Sequence, residues 1–182
     1  VIFFNGTPFL TPIRDELFDR FSTRNQFYGG QIGTVAEVRL GCLFVDLTTK
    51  VAFGVTHHVV DISGNSVLIP PDAPRQTATG GLLALPSNIG RYTNEFFTVM
   101  PEVQLQFGYQ ICRNLRAYAG YSYLYWSSVV RPGDQINRLV NEQQLPTSPD
   151  FGPVTGPREP SHAFRYTPFW AHGVTFGVSV RY

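Results

Sequence analysis

The sequence predicts an all-β protein, an antiparallel up-and-down transmembrane β-barrel of which this chain is the C-terminal portion, with five clear strands and an N-terminal stump. Three observations predict it. The last ten residues alternate, with Val174, Phe176, Val178, Val180 and Tyr182 on one side of an extended strand and Thr175, Gly177, Ser179 and Arg181 on the other. The connections between alternating stretches are in turn short, long, short and long. The composition is apolar and aromatic, with 43% hydrophobic, 14% aromatic and only 15% charged residues, yet mean hydropathy is −0.06. Alternating strands hide apolar content from a hydropathy window in this way, and no run nears the ~18 apolar residues of a transmembrane helix.

An alternating strand that closes a chain on an aromatic residue resembles the terminal signal by which outer-membrane barrels are recognised and inserted. Its alternative is the last strand of a soluble, half-buried sheet. With a formal net charge of +1 and no arginine-rich stretch, the chain carries no basic footprint for nucleic acid. It begins at Val1 and its single methionine is Met100. The expectation is a processed or truncated piece, a single domain over residues 1–182 that lacks strands on its N-terminal side.

Val1–Phe4 is an apolar stump. Asn5–Arg24, with two prolines and Leu17, Phe18 and Phe21 at helical spacing, reads as a loop with one helical turn. From Gln26 to Leu40 the apolar positions Tyr28, Ile32, Ala36, Val38 and Leu40 oppose Gln31, Gly33, Val35, Glu37 and Arg39, and Gly41-Cys42 is a tight turn. Leu43 to Val59 is the clearest period-two run, with Asp46, Thr48, Lys50, Thr56 and His58 between apolar odd positions. Gly64–Arg91 is a long connection rich in Pro, Gly, Ser and Asn. Phe97–Ile111 alternates again, with Glu102, Gln104 and Gln106 on its polar side, and Cys112-Arg113-Asn114 is the second short turn. Leu115–Val129 is dense in aromatics, and Arg116, Gly120 and Ser122 point its even positions inward. Arg131–Tyr166 is the second long connection and Thr167–Tyr182 the closing strand. With the short turns in the periplasm, the last strand ends there too. Aromatic residues then gather at the outer strand ends, as in an interfacial girdle.

The polar faces nominate Gln31, Glu37, Arg39, Asp46, Lys50, Glu102, Gln104, Arg116 and Arg181 as pore-lining residues, since charged rings in a pore set selectivity. Their alternative role is to fill a narrow lumen with paired charge and water. Glu37, Arg39, Asp46 and Lys50 are expected to pair across their hairpin. Arg131-Pro132-Gly133-Asp134 fits a type II turn better than a ligand site. Cys42 and Cys112, each in a short turn, either form a disulfide or remain two buried thiols. His57 and His58 point to opposite faces and cannot jointly chelate, and His57 and His172 read as interfacial. No metal, cofactor or catalytic group is expected, because no nucleophile elbow or zinc spacing is present.

Five segments carry a family resemblance. They are Arg24–Gly33 (RNQFYGGQIG), Phe44-Val45-Asp46 with Lys50–Gly54, Gly80–Ala84 (GGLLA), Leu124–Ser127 with Val130–Ile136 (VRPGDQI), and Phe169-Trp170-Ala171. In this order they are similar to the porin-like outer-membrane β-barrel family best represented in planctomycetes. The resemblance implies a bacterial outer-membrane barrel longer than this chain, with no catalytic residues to carry over. The function expected is a porin-like passive channel for small solutes or ions. The alternatives are a non-conducting anchor whose long loops bind a partner, and a soluble lipocalin-like barrel. The partners expected are outer-membrane lipid, the barrel-assembly machinery, and either further copies of the chain or the missing N-terminal strands.

Overall fold

The computed structural model describes residues 1–9, 13–71 and 73–180. Among them there is no α-helix. The strands are β1 (Ile2–Phe4), β2 (Thr7–Phe9), β3 (Arg14–Leu40), β4 (Leu43–Ile69), β5 (Gln76–Thr79), β6 (Gly90–Cys112), β7 (Leu115–Val129) and β8 (Thr167–Val180), with two short 3₁₀ turns at Pro132–Gln135 and Glu142–Gln144. The main sheet runs β3-β4-β6-β7-β8, and β5 adds to β4. All-β, antiparallel architecture is what the alternation predicted.

Three boundaries differ from expectation. Arg14–Leu40 is one 27-residue strand, where a loop with a helical turn was expected up to Arg24. Leu17, Phe18 and Phe21 have helical spacing by coincidence, and pairing along β4 overrides so short a local signal. The stump is a hairpin: Asn5 (φ 48°) and Gly6 (φ 76°) form the left-handed pair that joins β1 to β2, with Ile2 opposite Phe9. The first long connection is partly strand, because β4 continues to Ile69 and Asn65–Leu68 pairs with β5. The short turns are as expected. Gly41, at φ 64°, takes the left-handed first position of a two-residue hairpin.

The chain divides into two compact units. One comprises Gln26–His57, Glu95–Val129 and Thr167–Tyr182, and the other Val1–Asn25, His58–Asn94 and Val130–Tyr166. In the first, alternation sorts side chains in the reverse of a soluble protein. Ile32, Val38, Leu47, Phe53, Val103, Phe107, Tyr121, Val174, Phe176 and Val178 are all exposed, Phe176 by 78%. The opposite face carries the polar residues together with glycine. Three large rings on that face lie over glycines: Phe44 over Gly108, Tyr118 over Gly177, and Phe27 against Gly29 and Gly54. A Cβ at Gly108 would come within 1.9 Å of the Phe44 ring.

The second unit has a conventional core. Val60, Ile62, Ala84 and Val130 are buried, with Phe21, Ile89, Tyr92, Phe164 and Tyr166 packed on them.

Gly108→Ala is expected to lift the Phe44 ring and cost about 1–3 kcal/mol, the usual penalty of overpacking. Urea unfolding in detergent micelles, followed by tryptophan fluorescence, checks it. The double variant Phe44→Ala/Gly108→Ala should recover part of the loss, as contacting residues couple.

Candidate functional site: the polar face and the stitched loops

Across β6 and β7 the polar face is fixed by register, with Glu102 opposite Leu124, Gln104 opposite Ser122, Gln106 opposite Gly120 and Gln110 opposite Arg116. Across β7 and β8, Arg116 faces Ser179, Tyr118 faces Gly177 and Ser122 faces Gly173. The even positions of β7 therefore share a face with the odd positions of β8. Val174, Phe176, Val178 and Val180 stand on the other face, opposite Tyr121, Ala119, Ala117 and Leu115.

The charges on this face are partly neutralised. Lys50 Nζ lies 3.6 Å from Glu102 Oε1, joining β4 to β6. Arg39 pairs with Glu37 of its own strand. Both cations thus make their ion pairs outside the facing strand of their hairpin, while Asp46 across it also attracts Arg39. The reason is reach. Residues two apart on one strand stand on the same face, so Arg39 folds back to Glu37, while the Lys50 stem extends to the other neighbour. Arg116 is held by neutral groups, its Nε donating to Gln110 Oε1 at 2.5 Å and its guanidinium lying 5.3 Å from the Phe44 ring centroid. Asp46 is half-buried on β4, and Gln31 and Lys50 line one shallow depression with Gly33 and Thr48. Arg181 and Tyr182 lie outside the described residues.

Cys42 and Cys112 are free thiols, both exposed. Their turns are neighbours, since Gln110 N–H donates to the Cys42 carbonyl at 2.7 Å. Arg131–Asp134 does turn the chain, but as 3₁₀ geometry, with Asp134 N–H donating to the Arg131 carbonyl at 3.2 Å. Gly133 is not among the left-handed glycines, which a type II turn requires at that position. His57 Nδ1 lies 3.3 Å from Glu95 Oε1, and His172 sits against Trp170 and Tyr121.

The long connections are ordered by side-chain amides that pair with backbone as a strand would. The Asn25 amide donates to the Val130 carbonyl at 2.9 Å, and its Oδ1 accepts from Val130 N–H at 2.8 Å. Buried His58 also places Nδ1 2.9 Å from that Oδ1. Gln135 repeats the device on Arg165, donating to its carbonyl at 2.7 Å and accepting from its N–H at 3.2 Å. Asn88 does the same locally, accepting from Leu85 N–H and donating to the Leu83 carbonyl. Gly80–Ala84 wraps the Asp19 carboxylate, which accepts from the N–H groups of Leu82, Leu83 and Ala84 at 2.9–3.1 Å. A Cβ at Gly81 would meet Asp19 Oδ1 at 2.2 Å, so only glycine lets the carboxylate approach.

Sequence reasoning passed over Asp19, Asn25, Phe44, Gly108 and Gln135 as site residues. Asn25, Phe44 and Gln135 had one signal, membership of the shared words; Asp19 and Gly108 had none, although Gly80–Ala84, which wraps Asp19, is another of those words.

His162 stacks on Tyr92, with ring centroids 3.9 Å apart, and meets the edge of Phe164, with both ring nitrogens buried. Burial holds its pKa below the ordinary value of 6.5. The unfolded chain then binds the proton more readily than the fold, so this group's contribution is complete above pH 6.5 and declines as pH falls below it. Amide exchange around Ser161–Tyr166 should accelerate from pH 7.5 to pH 5.5 after correction for intrinsic rates. His162→Phe should remove the acceleration.

No curated protein and no solved structure matches the chain. One family model does, over residues 10–182, and its description is "Putative beta barrel porin-7 (BBP7)". Matched over nearly its whole length, with an all-β antiparallel sheet polar on one face and apolar on the other, the chain belongs to that β-barrel porin family.

Proposed function

We propose that the chain forms part of the wall of a bacterial outer-membrane barrel that passes small solutes or ions. The observation that carries this reading is the sorting of side chains. One face of the sheet exposes a near-continuous apolar surface from Ile32 to Val178, and the other bears Gln31, Asp46, Lys50, Glu102, Gln104 and Arg116. A soluble sheet would bury the first face, whereas in a bilayer lipid covers it and the second lines a water-filled interior. Exposed apolar area on this scale otherwise marks an interface or an aggregation liability. The two-residue turns at Gly41-Cys42 and Arg113-Asn114 suit the periplasmic side and the long connections the outside. Selectivity then resides in the polar-face charges, and no catalytic group is invoked.

A second reading has a specific observation in its favour. Asn25, Gln135 and Asp19 fix the long connections into a packed unit, and an ordered surface of that kind suits recognition of a partner. In that case the sheet anchors and does not conduct.

Single-channel recording on the membrane-extracted protein in a planar bilayer separates the two. The channel reading predicts stepwise currents. Glu102→Lys, which places a second cation beside Lys50, should shift the permeability ratio severalfold toward anions. Correct insertion without current would favour the anchoring reading.

A further inference from the structure

The face that bears Lys50 and Glu102 is polar along only part of its length. Glu102 stands opposite Leu124, and Leu124 opposite Ala171. On one side of that row Gln104 meets Ser122, and Arg116 lies further along. On the other side Trp126 stands opposite Phe169. Met100, two residues before Glu102 on β6, shares their face by alternation. The Trp126 indole N–H donates to Oγ1 of buried Thr56 at 3.1 Å. Because β6 lies between the strands of these two residues, the bond carries the indole across β6 and holds it there. Phe169 stays 38% exposed. Rings and aliphatic side chains on a face that otherwise suits water call for an apolar contact of their own.

Beside them the sheet has room for one. A depression of about 310 Å³ is lined by Glu102, Ser122, Leu124, Ala171 and Gly173, with Tyr123 and His172 between them. It is open because Ala171 and Gly173 bring so little bulk, and its volume is at the lower end of small-molecule sites, roughly 300–1,000 Å³. One wall is a carboxylate and the next is apolar. Lys50 Nζ lies 3.6 Å from Glu102 Oε1, beyond hydrogen-bond distance, so a closer donor can take that carboxylate. An anion entering here would meet Glu102, whereas an ammonium group gains both a charge-assisted hydrogen bond and the attraction of the ring faces. We propose that this depression binds a small organic cation, an ammonium group joined to an apolar body. The charge sits at Glu102, and the body runs along Leu124 toward Trp126 and Phe169. The proposal names a solute class for the channel reading above and rests on that reading's assignment of this face to water.

Single-channel recording with phenethylammonium, together with fluorescence of Trp126 in a Trp170→Phe background, tests it on the membrane-extracted protein. Current interruptions that become more frequent with concentration, and a saturable change in emission, are expected. Both should weaken about tenfold in Glu102→Gln, which keeps the shape and removes the charge, and about threefold in Phe169→Ala. Phenethyl alcohol, the neutral analogue, should produce neither. Currents that phenethylammonium leaves uninterrupted, or an equal response to the alcohol, would overturn the proposal and leave the channel intact. A saturable, Glu102-dependent emission change in a protein that inserts without current would uphold the site and overturn conduction. Trp126 emission that acrylamide cannot quench would show this face covered by protein, and would overturn both.

Discussion

In hydrocarbon every backbone N–H and C=O must find another strand, since each one left over costs several kcal/mol. The inter-strand ladder is therefore the interaction on which this sheet depends. On the membrane reading proposed above it requires β3 and β4 to run unbroken through their lipid-facing stretches, within strands of 27 residues apiece, longer than the usual strand of a globular domain. It also fixes the meaning of the alternation. On the membrane reading proposed above, once the ladder supplies the backbone bonds, the side chains toward lipid need only be apolar and those of the other face suit water.

The polar face is built from small residues and rings laid over glycines. Gly108, Gly177 and Gly54 create the space into which Phe44, Tyr118 and Phe27 fold along the wall. Each ring covers backbone on a neighbouring strand, which helps to pin register, and in doing so leaves room above the sheet. Arg116 is drawn into the same arrangement, since the Phe44 ring and Gln110 together hold its guanidinium without a carboxylate. The loop unit meets a different constraint with the same chemistry. Where the connection from Val130 to Tyr166 forms no strand, Asn25 and Gln135 lend their amides in place of one. The burial of Val130 and Gln135 in a connection without periodicity follows from those bonds.

The parts legible in the sequence are those governed by period two. The limits of β7 and the polar face of Lys50, Glu102 and Gln104 follow from alternation, because register leaves each strand residue only two places to point. What escaped depends on contacts distant in sequence. Asn25 meets Val130 across 105 positions, and nothing local in Arg24–Gly33 announces it. The pairing of Lys50 with Glu102 rather than with its hairpin partners depends on side-chain reach across the face. The extension of β3 through Leu17–Phe21 was masked by a chance helical spacing, and the Asn5-Gly6 hairpin was overlooked although it carries the strongest short-range turn signal.

The central claim is that the exposed apolar face of β8 meets lipid and its opposite face meets water. It is tested most directly with single cysteines at Phe176→Cys and Thr175→Cys, in a background with Cys42 and Cys112 replaced by serine, each carrying a fluorophore in reconstituted vesicles. Quenching by brominated lipid at position 176, and by a water-soluble quencher at position 175, is the predicted result. A label at position 176 that lipid quenchers cannot reach, or the reverse assignment of the two faces, would contradict the account.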